Sequence, residues 1–293
     1  MREEHLLNSE TKEFERFSVN VFSRGKTPTH NEDSWVATDD TLAVIDGATP
    51  KTNDSFDGKT GGEFASQLAR SVIQFETNLV GEALVNLLTA RFNEAFSRIG
   101  VSQLVGTNPT ARPTAVLTVA RIVGDKMIIT QVSDVSFRIN ATQVYTSPLV
   151  IDEVMAQKRT EAIKRAQQTN SNMSADKLLA IGREAIRDTL ETQVRQYQNN
   201  PEHPFGYGAI DGRPVPKKFI KIFSFDLKDI QTLEIFSDGY FKVADEPIIS
   251  SWERAFREVE EEDPYKIGRF TSTKGSSKES FTDDRTILIA RIQ

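Results

Sequence analysis

The 293-residue sequence has no cysteine, which removes disulfides, thiolate-held zinc, iron–sulfur centres and cysteine nucleophiles from consideration. Histidine is nearly as scarce: His5, His30 and His203 are the only three, and they show no ligand spacing, so they read as surface residues. No run of lysine and arginine forms a basic footprint, and 36 basic against 42 acidic residues give a formal charge of -6, so no nucleic-acid partner is expected. No apolar stretch approaches the ~20 residues that a membrane helix needs. The opening MREEHLLNSETKEFER has no apolar segment of signal-peptide length. These absences lead to the expectation of a soluble, unprocessed, cytoplasmic protein with no membrane partner.

What is present is an ordered succession of strand and helix patterns. Phe14 to Phe22 is β-rich, Ser34 to Thr38 is short and extended, and Thr41 to Ile45 is an apolar run ending in Asp46-Gly47. Phe64, Leu68, Val72 and Phe75 recur at helical spacing between Gly62 and about Thr77. Leu84, Leu87, Leu88, Phe92, Ala95, Phe96 and Ile99 do so again. Three strand-like pieces follow, AVLTVARI, KMIITQV and SFRINATQVY, with a tight turn at Val123-Gly124-Asp125, and they are expected as antiparallel neighbours.

From 151 to 198 the texture changes. Aromatics vanish until Tyr197, charges of both signs mix, and Leu179, Ile186, Leu190 and Val194 trace one helical face. Asn170 to Ser174 divides the block into two helices, with Ser174 as N-cap. Pro201, Pro204, Pro214 and Pro216 then demand a loop. Strands resume with KFIKIFSFD and TLEIFSD, a helix is expected over Ile248 to Val259, and a polar stretch from Asp263 to Thr282 precedes a closing strand, TILIARI. Strands cluster with strands and helices with helices, which predicts α+β class with antiparallel sheets rather than a doubly wound parallel sheet.

Acidic residues recur where strands begin or end. Glu32-Asp33 precedes a strand, Asp46 ends LAVI, Asp238 ends LEIFS, and Asp283-Asp284 stands immediately before TILIARI. Carboxylates carried on rigid strand ends are what hard divalent ions such as Mg²⁺ and Mn²⁺ require, since these ions prefer oxygen ligands and retain water. Taken singly, each Asp-Gly is equally a turn dipeptide and each acidic pair equally a solvated one. Gly61-Gly62 before a helix reads first as a helix start and second as a phosphate cradle. Trp35 and Trp252 read as packing residues.

In order, NEDSW at 31 to 35, LAVIDGAT at 42 to 49, GGEFAS at 61 to 66, RPTAVLTVARI at 112 to 122, QVSDVSFRI at 131 to 139, LEIFSDGYF at 233 to 241 and FTDDRTILIARI at 281 to 292 resemble the type 2C family of metal-dependent Ser/Thr protein phosphatases. The resemblance spans nearly the whole chain. It implies a single domain over 1–293 built as a four-layer α-β-β-α sandwich of two antiparallel sheets, with a helical insert or flap at about 151–200 beside the cleft. It implies two ions of Mn²⁺ or Mg²⁺, with a third conceivable, and a metal-activated water that hydrolyses phosphoserine or phosphothreonine in a phosphorylated protein substrate.

By the same resemblance Asp46 bridges the metals, the Gly47 carbonyl contacts one of them, and Asp238 and Asp283 complete a shell. Asp284 is the alternative to Asp283. Glu32 and Asp33 hold metal-bound waters, and Asp134 matches the aspartate linked to the third ion. The family's phosphate-gripping arginine is replaced by Pro28, leaving Lys26 or Arg24 as the expected phosphate contact. Ala48 stands where a histidine proton donor is found in eukaryotic members, Thr49-Pro50 where Gly-Gly is usual, and Ser133 where glycine precedes Asp134. These departures leave two other readings open, a regulatory module that has lost activity and a phosphatase of small phosphorylated metabolites.

Overall fold

The computed structural model describes residues 9–49, 51–76 and 78–293; His5, Pro50 and Thr77 lie outside them. The chain opens with β1 (Glu10–Glu13), β2 (Phe17–Arg24), β3 (Ser34–Ala37) and β4 (Thr41–Gly47). Three helices follow, α1 (Gly61–Phe75), α2 (Gly81–Arg98) and the short α3 (Ser102–Thr107). After them come β5 (Ala115–Val123), β6 (Lys126–Val132), β7 (Ser136–Ile139) and β8 (Gln143–Tyr145). The block from 151 to 198 forms α4 (Val150–Thr169) and α5 (Ala175–Thr192), and the chain ends with β9 (Ile220–Asp226), β10 (Thr232–Phe236), α6 (Ile249–Glu262) and β11 (Arg285–Ile292).

Two antiparallel sheets result, a six-stranded one in the order β1-β2-β11-β10-β7-β8 and a five-stranded one in the order β3-β4-β5-β6-β9. The α+β fold expected from the sequence is the fold found. Period-two alternation divides each central strand between two apolar layers. In β4, Leu42 and Val44 face the other sheet, while Ala43 and Ile45 pack with α1 and α2 residues such as Ala69, Leu88 and Phe92. In β11, Leu288 and Ala290 face the intersheet layer, while Ile287 and Ile289 pack on Trp252 and Phe256 of α6. The layers are therefore helix, sheet, sheet, helix.

Four details depart from the sequence reading. SFRINATQVY is two strands, because Asn140 and Ala141 both take positive φ, at 52° and 54°, and fold β8 back on β7. These strands also join the six-stranded sheet rather than lying beside β5 and β6; Ser133, at φ 69°, turns the chain across. Ser174 sits at the N-cap of α5, yet its side chain makes no capping bond. Finally, β1 and α3 were not foreseen: ETKE and SQLVGT carry too few apolar residues to show a period.

Trp252 is fully buried, with its indole N–H donated to Glu234 at 2.8 Å, and Trp35 lies beneath the cations of Lys12 and Arg70. Both tryptophans pack, as expected. His30 bonds Glu63 at the surface and His203 stacks on Tyr197. In the 151–200 block, Ile151 and Met155 of α4 and Ile186 and Leu190 of α5 bury against Tyr207 and Ala209. Among the described residues no helix is long and apolar enough to cross a membrane.

Candidate active site

Antiparallel pairing brings alternate strand ends to one end of the sandwich. Ile45 lies opposite Ser34, Asp46 opposite Val116, Phe236 opposite both Ser136 and Ile287, and Arg24 opposite Arg285. The ends of β4 and β10 and the starts of β3, β7 and β11 therefore meet. Asp46, Asp238, Asp33, Asp134 and Asp283 are the residues at or just beyond those ends.

Close backbone approach holds the first of them. Gly47 donates its N–H to the Glu32 carbonyl at 3.1 Å. A Cβ on Gly47 would stand 2.2 Å from the Gly62 carbonyl, and one on Gly62 would stand 2.6 Å from Glu32 Oε1. Glycine at both places lets the N-terminus of α1 close on the end of β4. Thr60 caps that helix in a reciprocal box with Glu63 and donates its hydroxyl to Glu32 at 2.7 Å. Gly61-Gly62 is thus a helix start packed against the acidic site.

Asp46, Gly47, Asp134, Asp238 and Asp283 line one cavity of about 520 Å³. Burial, and then the charges of Asp33, Asp238, Asp283 and Asp134, push the Asp46 carboxyl well above the usual range. Burial, and then the neighbouring Asp283, raise Asp238 to about 6, partly opposed by Lys274 and by a hydrogen bond with Asp46. Asp134 rises to about 8, through burial and Asp238. Asp33 is buried, accepts the Ser237 hydroxyl at 2.7 Å, leaves Oδ1 without a partner and also rises to about 8, chiefly through burial.

Two lysines reach into the acidic end. Lys26 Nζ donates to Glu32 at 2.8 Å, Asp284 at 3.0 Å and Thr49 at 3.1 Å, with Asp283 3.8 Å away. It does not line the cleft. Lys26, expected at the substrate phosphate, has its ammonium engaged by Glu32, Asp284 and Thr49. Arg24 ends β2 as an exposed side chain and also lies outside the cleft lining.

Lys274, in the polar stretch before β11, donates to Asp283 and to Thr49. Burial opposes charge on Asp283, but Lys274 and Lys26 together hold its carboxyl below the usual range. Asp284 is buried and bonded twice to Lys26, through Oδ1 to the amide and Oδ2 to the ammonium, whereas Asp283 lines the cavity. Glu32 has both oxygens engaged, by Thr60 and Lys26, and is absent from the lining.

The rest of the cleft comes from residues that the sequence does not mark as site residues. Lys51, Arg112 and Lys274 supply its positive charge, and Asp152, Glu153, Ala156, Leu190 and Gln193 of the helical block form a wall. An isolated lysine in a polar loop carries no period and no spacing, so nothing in the sequence distinguishes Lys51 or Lys274, while Arg112 belongs to the segment RPTAVLTVARI without a role read for it. Among the described residues, no group of three or more His, Asp or Glu side chains is arranged as a ready metal cage.

No protein-family model matches the chain, and no curated protein matches it in sequence. Solved structures are similar to it in the course of the backbone. A bacterial serine phosphatase matches at TM-score 0.47 and 14% identity, covering 94% of this chain and 97% of that one. The serine/threonine phosphatase Stp1 of Staphylococcus aureus matches at TM-score 0.46 and 15% identity, covering 94% of each chain. RsbX, in complex with magnesium, matches at TM-score 0.48 and 10% identity, covering 97% of this chain and 100% of that one.

Proposed function

We propose that this chain is a metal-dependent phosphatase of the type 2C kind, hydrolysing phosphoserine and phosphothreonine in proteins. The observation that carries the reading is the convergence of Asp46, Asp134, Asp238 and Asp283, distant in sequence, on one cavity. Crowded like charges destabilise a folded chain unless something compensates them. Functional sites are where such arrangements concentrate.

The residues fit a hard divalent cation by donor chemistry. All are oxygen donors, Asp33 Oδ1 is buried without a partner, and the mutual repulsion around Asp46 is what a cation relieves. Asp46, Asp238, Asp283 and the Gly47 carbonyl would hold Mn²⁺ or Mg²⁺, with Asp33 and Asp134 beside them and Glu32 already engaged by Lys26. When bound, such ions act as Lewis acids toward phosphoryl oxygens and lower the pKa of water. The chain's own residues do the remainder. Asp46 and Asp238 are near enough to share a hydrogen bond. Lys274 fixes the orientation of Asp283. The wall that α4 and α5 contribute to the cleft suits selection among phosphoproteins, since segments beside a site commonly set specificity.

Release of p-nitrophenol from its phosphate ester is expected with Mn²⁺, and is expected to vanish with EDTA and in Asp46→Asn. Activity that survives both treatments overturns the reading. A second reading has one observation in its favour: Lys26 and Lys274 already neutralise Glu32, Asp283 and Asp284, as a non-catalytic module would need. No turnover with any divalent ion on phosphopeptides selects that reading, and a preference for sugar phosphates over phosphopeptides selects a metabolite phosphatase.

A further inference from the structure

A phosphate monoester is a dianion with three terminal oxygens, and those that do not face the acidic floor call for a side-chain cation that is not already committed. Three cationic side chains line the cleft among the described residues: Lys51, Arg112 and Lys274. Lys274 is held by Asp283 and Thr49. Arg112 donates to the Asp211 carbonyl at 2.8 Å and its charged neighbours are Asp211 and Arg213, away from the acidic floor. Lys51 differs from both. It lies in the loop four residues beyond Gly47, feels the charges of Asp152 and Asp283, and makes no hydrogen bond or ion pair among the described residues.

We propose that Lys51 is the cation that receives the phosphoryl oxygens of the substrate, a role that Lys26 is too committed to fill. This rests on the phosphatase reading. A half-buried ammonium without a partner is costly to keep. Burial, together with Lys274 and Arg183, lowers its pKa to about 7, and an incoming anion reverses that penalty. The ammonium acts as a point charge with three rotatable donors, which suits a phosphate that must move as it is transferred.

The test is calorimetric titration of inorganic phosphate into the Mn²⁺-loaded protein, the Lys51→Ala variant and the Lys51→Arg variant. Steady-state kinetics on p-nitrophenyl phosphate and a separate Mn²⁺ titration accompany it. Lys51→Ala is expected to weaken phosphate binding about tenfold, the loss of one charge-assisted hydrogen bond. KM should rise with it, the Mn²⁺ affinity should stay unchanged, and Lys51→Arg should restore most of the phosphate affinity. Equal phosphate affinity in all three proteins, or no phosphate binding by the unaltered chain, overturns the proposal. If no protein turns over substrate while phosphate affinity still follows residue 51, the phosphatase reading fails and the anion site stands.

Discussion

The guanidinium of Arg159 occupies the space that a side chain on Gly275 would need: a Cβ there would stand 2.6 Å from Nη2 and 2.7 Å from the Tyr265 carbonyl. Arg159 belongs to α4 and is buried, and its Nη1 donates to the carbonyls of Tyr265, Lys266 and Ser272. Gly182 of α5 yields on the other side, where a Cβ would stand 2.9 Å from Arg159 Cγ. One arginine therefore ties both helices of the insert to the stretch that carries Lys274, the partner of Asp283.

Arg159→Met removes the donor from three carbonyls in a buried place, and unsatisfied buried acceptors are costly. A loss of about 2–4 kcal/mol in urea denaturation is expected, and Gly275→Ala should cost about 1–3 kcal/mol by forcing the same contact apart. The two changes act on one contact, so the double variant should lose less than the sum. Strictly additive losses would show that Gly275 serves the backbone alone.

Glu234 lies on β10, fully buried, between the guanidinium of Arg138 and the indole of Trp252. Arg138 also reaches the Ala244 carbonyl. Glu234→Gln leaves a buried guanidinium without its counter-charge, and removing one partner of such a pair costs about 3–5 kcal/mol. Thermal unfolding measures it. A midpoint unchanged by the substitution would mean that water, rather than Glu234, satisfies Arg138.

Asp263 follows α6 and accepts the N–H groups of Ile267, Gly268 and Phe270. Burial alone would raise its carboxyl, yet those three donors and Lys266 hold it below its ordinary value of 3.8. A depressed folded pKa means that the unfolded chain binds the proton more readily, so the stabilisation is complete above the ordinary value and is lost as pH falls through the folded one. The stability gap between the protein and Asp263→Asn should therefore be widest at neutral pH and close in acid. Denaturation midpoints across that range check it, and a gap independent of pH would assign the effect to shape alone.

Much of the site was legible because the strands that deliver it are apolar and end on acid. LAVID, LEIFSD and DDRTILIARI each announce a buried strand and the carboxylate at its end, and antiparallel pairing then has little choice but to gather them. The fold class followed for the same reason. What could not be read was which charge each carboxylate meets. Lys26 and Arg24 are equivalent neighbours in sequence, but strand register leaves Arg24 exposed at the end of β2, while the turn that follows sends Lys26 toward Asp284. Lys51, Lys274 and Arg159 sit in segments of mixed polarity, where neither period nor spacing marks the residue that turns inward.

The crowding at Asp46 separates stability from function in a measurable way. Burial and four neighbouring aspartates disfavour its charged form, so the amide of Asp46→Asn relieves a penalty that the metal-free chain carries. In EDTA the variant is expected to melt about 2–4 °C higher than the unaltered protein, the shift that about 1 kcal/mol produces in a chain of this size. With Mn²⁺ the order should reverse, because a cation that binds only the folded state raises its stability in proportion to its affinity, and Asp46 would be a principal ligand. Differential scanning calorimetry under the two conditions reads both effects. If Asp46→Asn melted lower in EDTA and gained as much from Mn²⁺ as the unaltered chain, Asp46 would be a structural residue and the cation would lie elsewhere.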